Sequence, residues 1–200
     1  MANATTKSET ITPGQIGQIN DRLATKLRES GLSSEGVQRV LMAPGGAAIN
    51  AMVAAFRSHV DAMSEIIVRR VKVDRERTPQ AVIDATKRKQ YINSTVLAAM
   101  PKGEGDEVDV HFVPTKRYVP AAEVPAFLAQ YGLVPDPRAQ AAVNEEDPAF
   151  ADTYPNGSQW GDNCCLAFDR WGGERSVHCS RVDDDWLGGW FLAGVPAPRK

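Results

Sequence analysis

Residues 163–181 read NCCLAFDRWGGERSVHCSR, and the fold turns on how they pair. Two strand-like runs, 163–171 and 174–181, flank Gly172-Gly173. Glycine accepts positive φ without steric cost, so this pair suits a two-residue hairpin loop. With that loop, Trp171 faces Glu174, Phe168 faces Val177 and Ala167 faces His178. Strand side chains alternate faces with period two. One face then carries Cys164, Leu166, Phe168, Val177 and Cys179, an apolar set expected in the core. The other carries Cys165, Ala167, Asp169 and His178.

Working outward, residues 66–73 (IIVRRVKV) are rich in β-branched side chains and read as a strand. Val108, Val110 and Phe112 alternate with Asp109 and His111, the pattern of a half-buried strand. Residues 189–195 (GWFLAGV) predict one more. Thr78-Pro79 opens a helix expected over 79–88, Asn93-Ser94 caps a further turn, and short helices are expected over 121–131 and 137–144. The remainder of 133–161 reads as loop.

The N-terminal part has a different period. Thr12-Pro13 starts a helix over 13–30 with Ile16, Ile19, Leu23 and Leu27 on one side and Gly31 at its end. Ser34 caps a short helix carrying Val37, Val40 and Leu41. A third helix over 47–63 aligns Ile49, Met52, Val53, Phe56, Val60 and Met63 in one stripe. Each stripe needs a partner, either another helix or the sheet. The expected fold is α+β. An N-terminal helical segment (12–64) follows a disordered lead-in (1–11). A domain over 65–200 holds a mostly antiparallel sheet with packed helices and a C-terminal β-hairpin.

Composition narrows the function. The chain has 200 residues, 42% hydrophobic and 24% charged, with 23 basic against 25 acidic residues. That is the profile of a globular protein, without the basic excess of a nucleic-acid coat. No stretch approaches the ~18 apolar residues of a membrane span, and residues 1–10 lack the apolar run of a secretory leader. Three cysteines, an odd number, do not make a disulfide framework, so the cytoplasm is the expected compartment. Charge is uneven along the chain. Residues 64–90 hold eight bases and four acids, net +4; residues 134–190 hold four bases and eleven acids, net −7.

Several chemistries are open to these residues. On the hairpin face His178 lies diagonal to both Cys165 and Asp169, roughly 7 Å away by strand geometry. A thiol, an imidazole and a carboxylate are the parts of a Cys-His-Asp nucleophilic site. Zinc is disfavoured, because adjacent cysteines on a strand point to opposite faces. Gly103-x-Gly105 lacks the phosphate-loop pattern, and Asp183-Asp184-Asp185 lacks calcium-loop spacing. His59 and His111 have no ligand-pair spacing. No metal and no cofactor is expected. The basic run Arg69, Arg70, Lys72, Lys87, Arg88 and Lys89 offers a nucleic-acid or acidic-partner stripe. All four tryptophans fall at 160–190, and Trp160, Trp186 and Trp190 offer an aromatic docking surface.

The stretches VRRVKVDRERTPQAVIDATKRKQYIN (68–93), MPKGEGDEVDVHF (100–112), AAVNEEDPAFADTYPNGSQW (141–160) and WFLAGV (190–195) resemble those of small bacterial proteins from environmental genomes with no assigned function. The resemblance covers nearly the whole chain after about residue 12 and implies a bacterial, cytoplasmic protein. It brings no activity or site residue. The sequence therefore points first to a non-enzymatic interaction module with an unidentified protein partner and no membrane. That module docks through its N-terminal helices or its late aromatic surface. A thiol enzyme on Cys165, His178 and Asp169, and nucleic-acid binding through residues 69–89, are the alternatives.

Overall fold

The structure is a computed structural model that describes residues 11–161, 163–182 and 185–198. The expected lead-in, apart from Ile11, lies outside the described residues. So do Asp183 and Asp184 and the side chain of His59. The chain divides into two compact units, Met1–Val60 and Asp61–Lys200. The division falls near the end of the third helix, a few residues before 65.

The first unit is helical. α1 (Pro13–Glu29) begins with a capping box in which Thr12 and Gln15 satisfy each other's backbone donors. α2 (Ser34–Leu41) is capped by Ser33, one residue before the expected Ser34. α3 (Ala47–Ser64) follows a Pro44–Gly46 turn in which Gly45 takes φ 78°.

The second unit is built on a mixed sheet. In chain order its elements are β1 (Ile67–Lys72), α4 (Pro79–Ala85), β2 (Lys89–Ile92), α5 (Ser94–Ala98), β3 (Glu107–Pro114), β4 (Val119–Pro120), α6 (Val124–Ala129), β5 (Leu133–Val134), α7 (Pro137–Glu146), α8 (Phe150–Thr153), β6 (Asn156–Trp160), β7 (Cys164–Trp171), β8 (Glu174–Arg181), β9 (Asp185–Trp186) and β10 (Phe191–Pro196). The sheet runs β1-β3-β10-β6-β7-β8-β2, with β5 also paired to β10 and a separate β4–β9 ribbon. Only β10–β6 and β8–β2 are parallel. The β7–β8 register is the one a Gly172-Gly173 loop dictates: Ala167 opposite His178, Phe168 opposite Val177, Trp171 opposite Glu174.

Two expectations are corrected. The helix starting at Pro79 ends at Ala85, not 88; Lys87 turns the chain at φ 54°, and residues 89–92 form the edge strand β2. Residues 156–160, expected as loop, form β6 in the middle of the sheet.

Each sheet face has its own cover. α4, α5, α7 and α8 pack over one face, where Leu166, Phe168, Val177, Cys179, Val110, Phe112 and Ala193 are buried. α6 and the β4–β9 ribbon cover the middle of the other, over Val113, Cys165, Ala167 and Leu192. Helix α7 also buries polar side chains, each with at least one hydrogen-bond partner, although Arg138 Nε and Gln140 Oε1 have none. Asp136 caps it and grips Arg75 at 2.8 and 2.9 Å. Gln140 and Asn144 both donate to the side-chain Oδ1 of Asn156 on β6. Buried polar atoms held this way avoid the desolvation penalty of unpaired ones.

Candidate functional site

The hairpin places Cys165, Asp169 and His178 on one face, but it does not make them one site. Cys165 is only 4% exposed and belongs to the buried cluster of Leu128, Trp186 and Leu192. Its thiol lies 4.0 Å from the Ser180 hydroxyl. Asp169 and His178 sit farther along the strands, beyond that cover. Their Nε2–Oδ1 separation is 3.5 Å, an ion-pair distance rather than a formed hydrogen bond. Ser176 donates a short hydrogen bond to the same Asp169 oxygen. Burial raises the Asp169 carboxyl, but His178, Ser176 and the Arg88 charge outweigh it and hold the group below its ordinary value. The His178 ring stacks on Tyr91 of β2 at 4.8 Å and 7°. This is a polar platform at the sheet's end in which the buried His178 Nε2 is left without a hydrogen bond. A thiol nucleophile needs access and a depressed pKa, and Cys165 is walled into the core. None of the three cysteines is disulfide-bonded, and all are buried. Among the described residues no group of three or more His, Cys, Asp or Glu could hold a metal.

The basic run does not form a stripe. Arg69 and Arg70 lie on β1 and Lys89 on β2, at opposite edges of the sheet. Arg70 pairs with Glu107 at 3.0 Å and Lys89 with Glu174 at 2.6 Å. Arg88 is buried over the Phe168 ring and donates to the Asp169 and Pro148 carbonyls. Arg69 sits over Phe150. Lys87 is exposed. The basic and acidic tracts of the sequence meet instead of facing a partner: Arg75 with Asp136, Arg77 with Glu145, Lys89 with Glu174.

The aromatic residues are largely core. Trp186 is buried, donates to Gln159 Oε1 at 2.7 Å and packs on Gly157 so closely that a Cβ there would enter its ring. Trp190 meets it edge-on at 5.3 Å. Trp160 is half-buried against the opposite cluster. Trp171 stays exposed, alone at the hairpin tip.

A cleft of about 650 Å³ lies beside the end of β1 and α7, lined by Asp74, Arg77, Arg138, Glu145 and Glu146 among others. Part of that charge is paired within the lining. Arg77 binds Glu145 at 2.7 Å, and Arg138 donates to the carbonyls of Arg75 and Arg77.

The helical unit buries none of its described apolar side chains. α1 and α2 bury no residue, and no described side chain of α3 is buried. The α3 stripe of Ile49, Met52, Val53, Phe56, Val60 and Met63 is exposed along its whole length, with Phe56 at 49%. Ile16 and Leu27 of α1, Val40 and Leu41 of α2, and Leu32 and Met42 beside α2 are exposed as well. The sequence shows these stripes. It does not single out Leu32 or Met42, whose only signal is their apolar type in a segment without a core.

No protein family, curated protein or solved structure matches the chain.

Proposed function

We propose that this chain is a non-enzymatic protein-interaction module whose docking face is the apolar side of α1–α3. One observation carries the reading: three helices with aligned apolar stripes, the first two well capped, bury none of the described side chains in those stripes. Most helical stability in proteins comes from packing an amphipathic face. Such a face is therefore built to be covered. Among its described residues the second unit buries three apolar clusters and exposes fewer large apolar side chains. No described helix is long and apolar enough to cross a membrane; the reduced cysteines favour a cytoplasmic setting.

The test is site-specific photo-crosslinking in the full chain, with the reactive group at Phe56 and, as control, at Tyr118 of the second unit. The reading expects a discrete protein adduct at Phe56 and none at Tyr118. Equal labelling at both positions, or no adduct at either, overturns it.

A further inference from the structure

We infer that the charged cleft beside α7 binds a free basic amino acid, with the ligand carboxylate at Arg138 and its distal ammonium at Glu146. The inference is independent of the docking reading, because the cleft lies wholly within the sheet unit. Its volume of about 650 Å³ falls within the ~300–1,000 Å³ of small-molecule sites.

The first argument is Arg138, which is only 6% exposed. A guanidinium buried this deeply ordinarily faces a carboxylate. Arg75, at 7% exposed, does so: Asp136 holds it at 2.8 and 2.9 Å. Arg138 has no acidic partner among the described residues. Both of its hydrogen bonds leave from Nη1, to the carbonyls of Arg75 and Arg77, and its Nε has none. Neutral carbonyls leave the buried charge uncompensated. Because Arg138 lines the cleft, a ligand carboxylate can supply the missing counter-charge.

The second argument is the face of α7. Arg138, Ala142 and Glu146 follow one another at intervals of four, so they lie along one side of the helix, and all three line the cleft. Glu146 is exposed and makes no ion pair among the described residues. Its neighbour Glu145 is held by Arg77 at 2.7 Å. Eight residues of helix set the Arg138 and Glu146 positions about 12 Å apart. A charge-assisted hydrogen bond of about 2.8 Å at each end leaves about 6 Å for the ligand. That span suits a carboxylate and an ammonium joined by a short aliphatic chain. Ala142 puts no bulk between the two charges, and Val73 and Val82 add apolar wall for the chain.

The third argument is net charge. Four bases and five acids line the cleft, a net −1. A basic amino acid has one carboxylate and two ammonium groups, so it matches both ends and the total. A dicarboxylate would set like charge against Glu146, and a diamine would leave Arg138 uncompensated.

An amide chemical-shift titration of the full chain with L-lysine tests this. Saturable shifts are expected in residues 73–77 and 138–146. Norleucine, which lacks the distal ammonium, and cadaverine, which lacks the carboxylate, are expected to bind at least about tenfold more weakly. Glu146→Gln changes an exposed side chain and is expected to weaken L-lysine by about the same factor. Glu146→Lys is expected to turn the preference toward L-glutamate. A peptide ending in lysine offers the same carboxylate and side-chain ammonium, and Nα-acetyl-lysine stands for it. Weaker binding of that probe is expected, since it lacks the α-ammonium; equal binding overturns the free amino acid as the ligand. No saturable shift with L-lysine, norleucine or cadaverine binding as tightly, or Glu146→Gln without effect overturns the inference. None of these outcomes bears on the Phe56 photo-crosslink, so the two readings fail separately.

Discussion

Of the ten residues of α7, PRAQAAVNEE, eight are buried, including Arg138, Gln140 and Asn144. The stripe of α3, by contrast, is made of isoleucine, valine, methionine and phenylalanine and lies exposed. Composition alone would reverse those fates. Burial follows what stands opposite. α7 faces a sheet whose Asn156 accepts from both Gln140 and Asn144, and its cap Asp136 meets Arg75. Nothing within the helical unit gives α3 an equivalent wall. The sheet unit is thus closed by polar pairing as well as apolar packing, and the helical unit is left open on its apolar side.

The largest expected effect breaks the closed side of this contrast. Asp136→Asn strands the Arg75 guanidinium in the core, where loss of one partner of a buried pair costs about 3–5 kcal/mol. Denaturant unfolding followed by tryptophan emission reads this as a lower midpoint. Phe56→Glu, in the same assay, is expected to leave the midpoint where it was. A large shift with Phe56→Glu would mean that the two units share one core.

Next comes Gly157→Ala. The new Cβ enters the Trp186 ring, and overpacking of this kind costs about 1–3 kcal/mol. Emission from Trp186 should shift to the red as the ring is displaced. Unchanged stability and emission would mean that the β4–β9 ribbon yields freely.

These two sites show how far the sequence could be read. The Gly172-Gly173 loop fixed the β7–β8 register because the turn chemistry is local and the apolar alternation is clean. Both strands of the hairpin were legible down to individual partners. β6 was not, because NGSQW carries a glycine and three polar side chains before its tryptophan. Asn156, Ser158 and Gln159 are nonetheless buried. Two of them are satisfied by distant residues, Asn156 by α7 and Gln159 by Trp186 and the Ala121 carbonyl. Hydrophobic periodicity does not register a strand held this way. β2 was hidden because its four residues KQYI follow a helix pattern with only the Lys87 turn between them. The Cys165, His178, Asp169 trio was read on the correct face, yet the cover over Cys165 comes from α6 and Trp186, which no local pattern reveals.

A smaller effect separates the buried thiols from the polar platform. Burial, helped by the neighbouring Cys165 and Cys164 thiols, pushes the Cys179 thiol up to about 12. A raised thiol pKa contributes stability below the ordinary thiol value, and that stability is lost as pH climbs toward the raised one. Native-state labelling with a thiol reagent should therefore remain slow well above the ordinary thiol pKa and accelerate only with unfolding. Fast labelling of Cys165 at neutral pH, lost in His178→Ala, would revive the thiol-enzyme alternative.

The smallest effect concerns Asp169. Its carboxyl is held below the ordinary value, so its contribution is present above that value and is lost as pH falls through the lowered one. Asp169→Asn should flatten the acid limb of stability against pH without changing the neutral plateau's slope. An unchanged acid limb would show that the platform of Asp169, Ser176 and His178 is not coupled to folding.

The contrast between α7 and α3 is tested most directly by hydrogen exchange on the full chain at two protein concentrations. The α7 and sheet amides should be protected at both. The α1–α3 amides should exchange rapidly in both, because their apolar stripes find no wall within the helical unit. Protection of α1–α3 that is already complete in a dilute, monomeric sample would contradict the account, because their apolar face would then be covered within one chain.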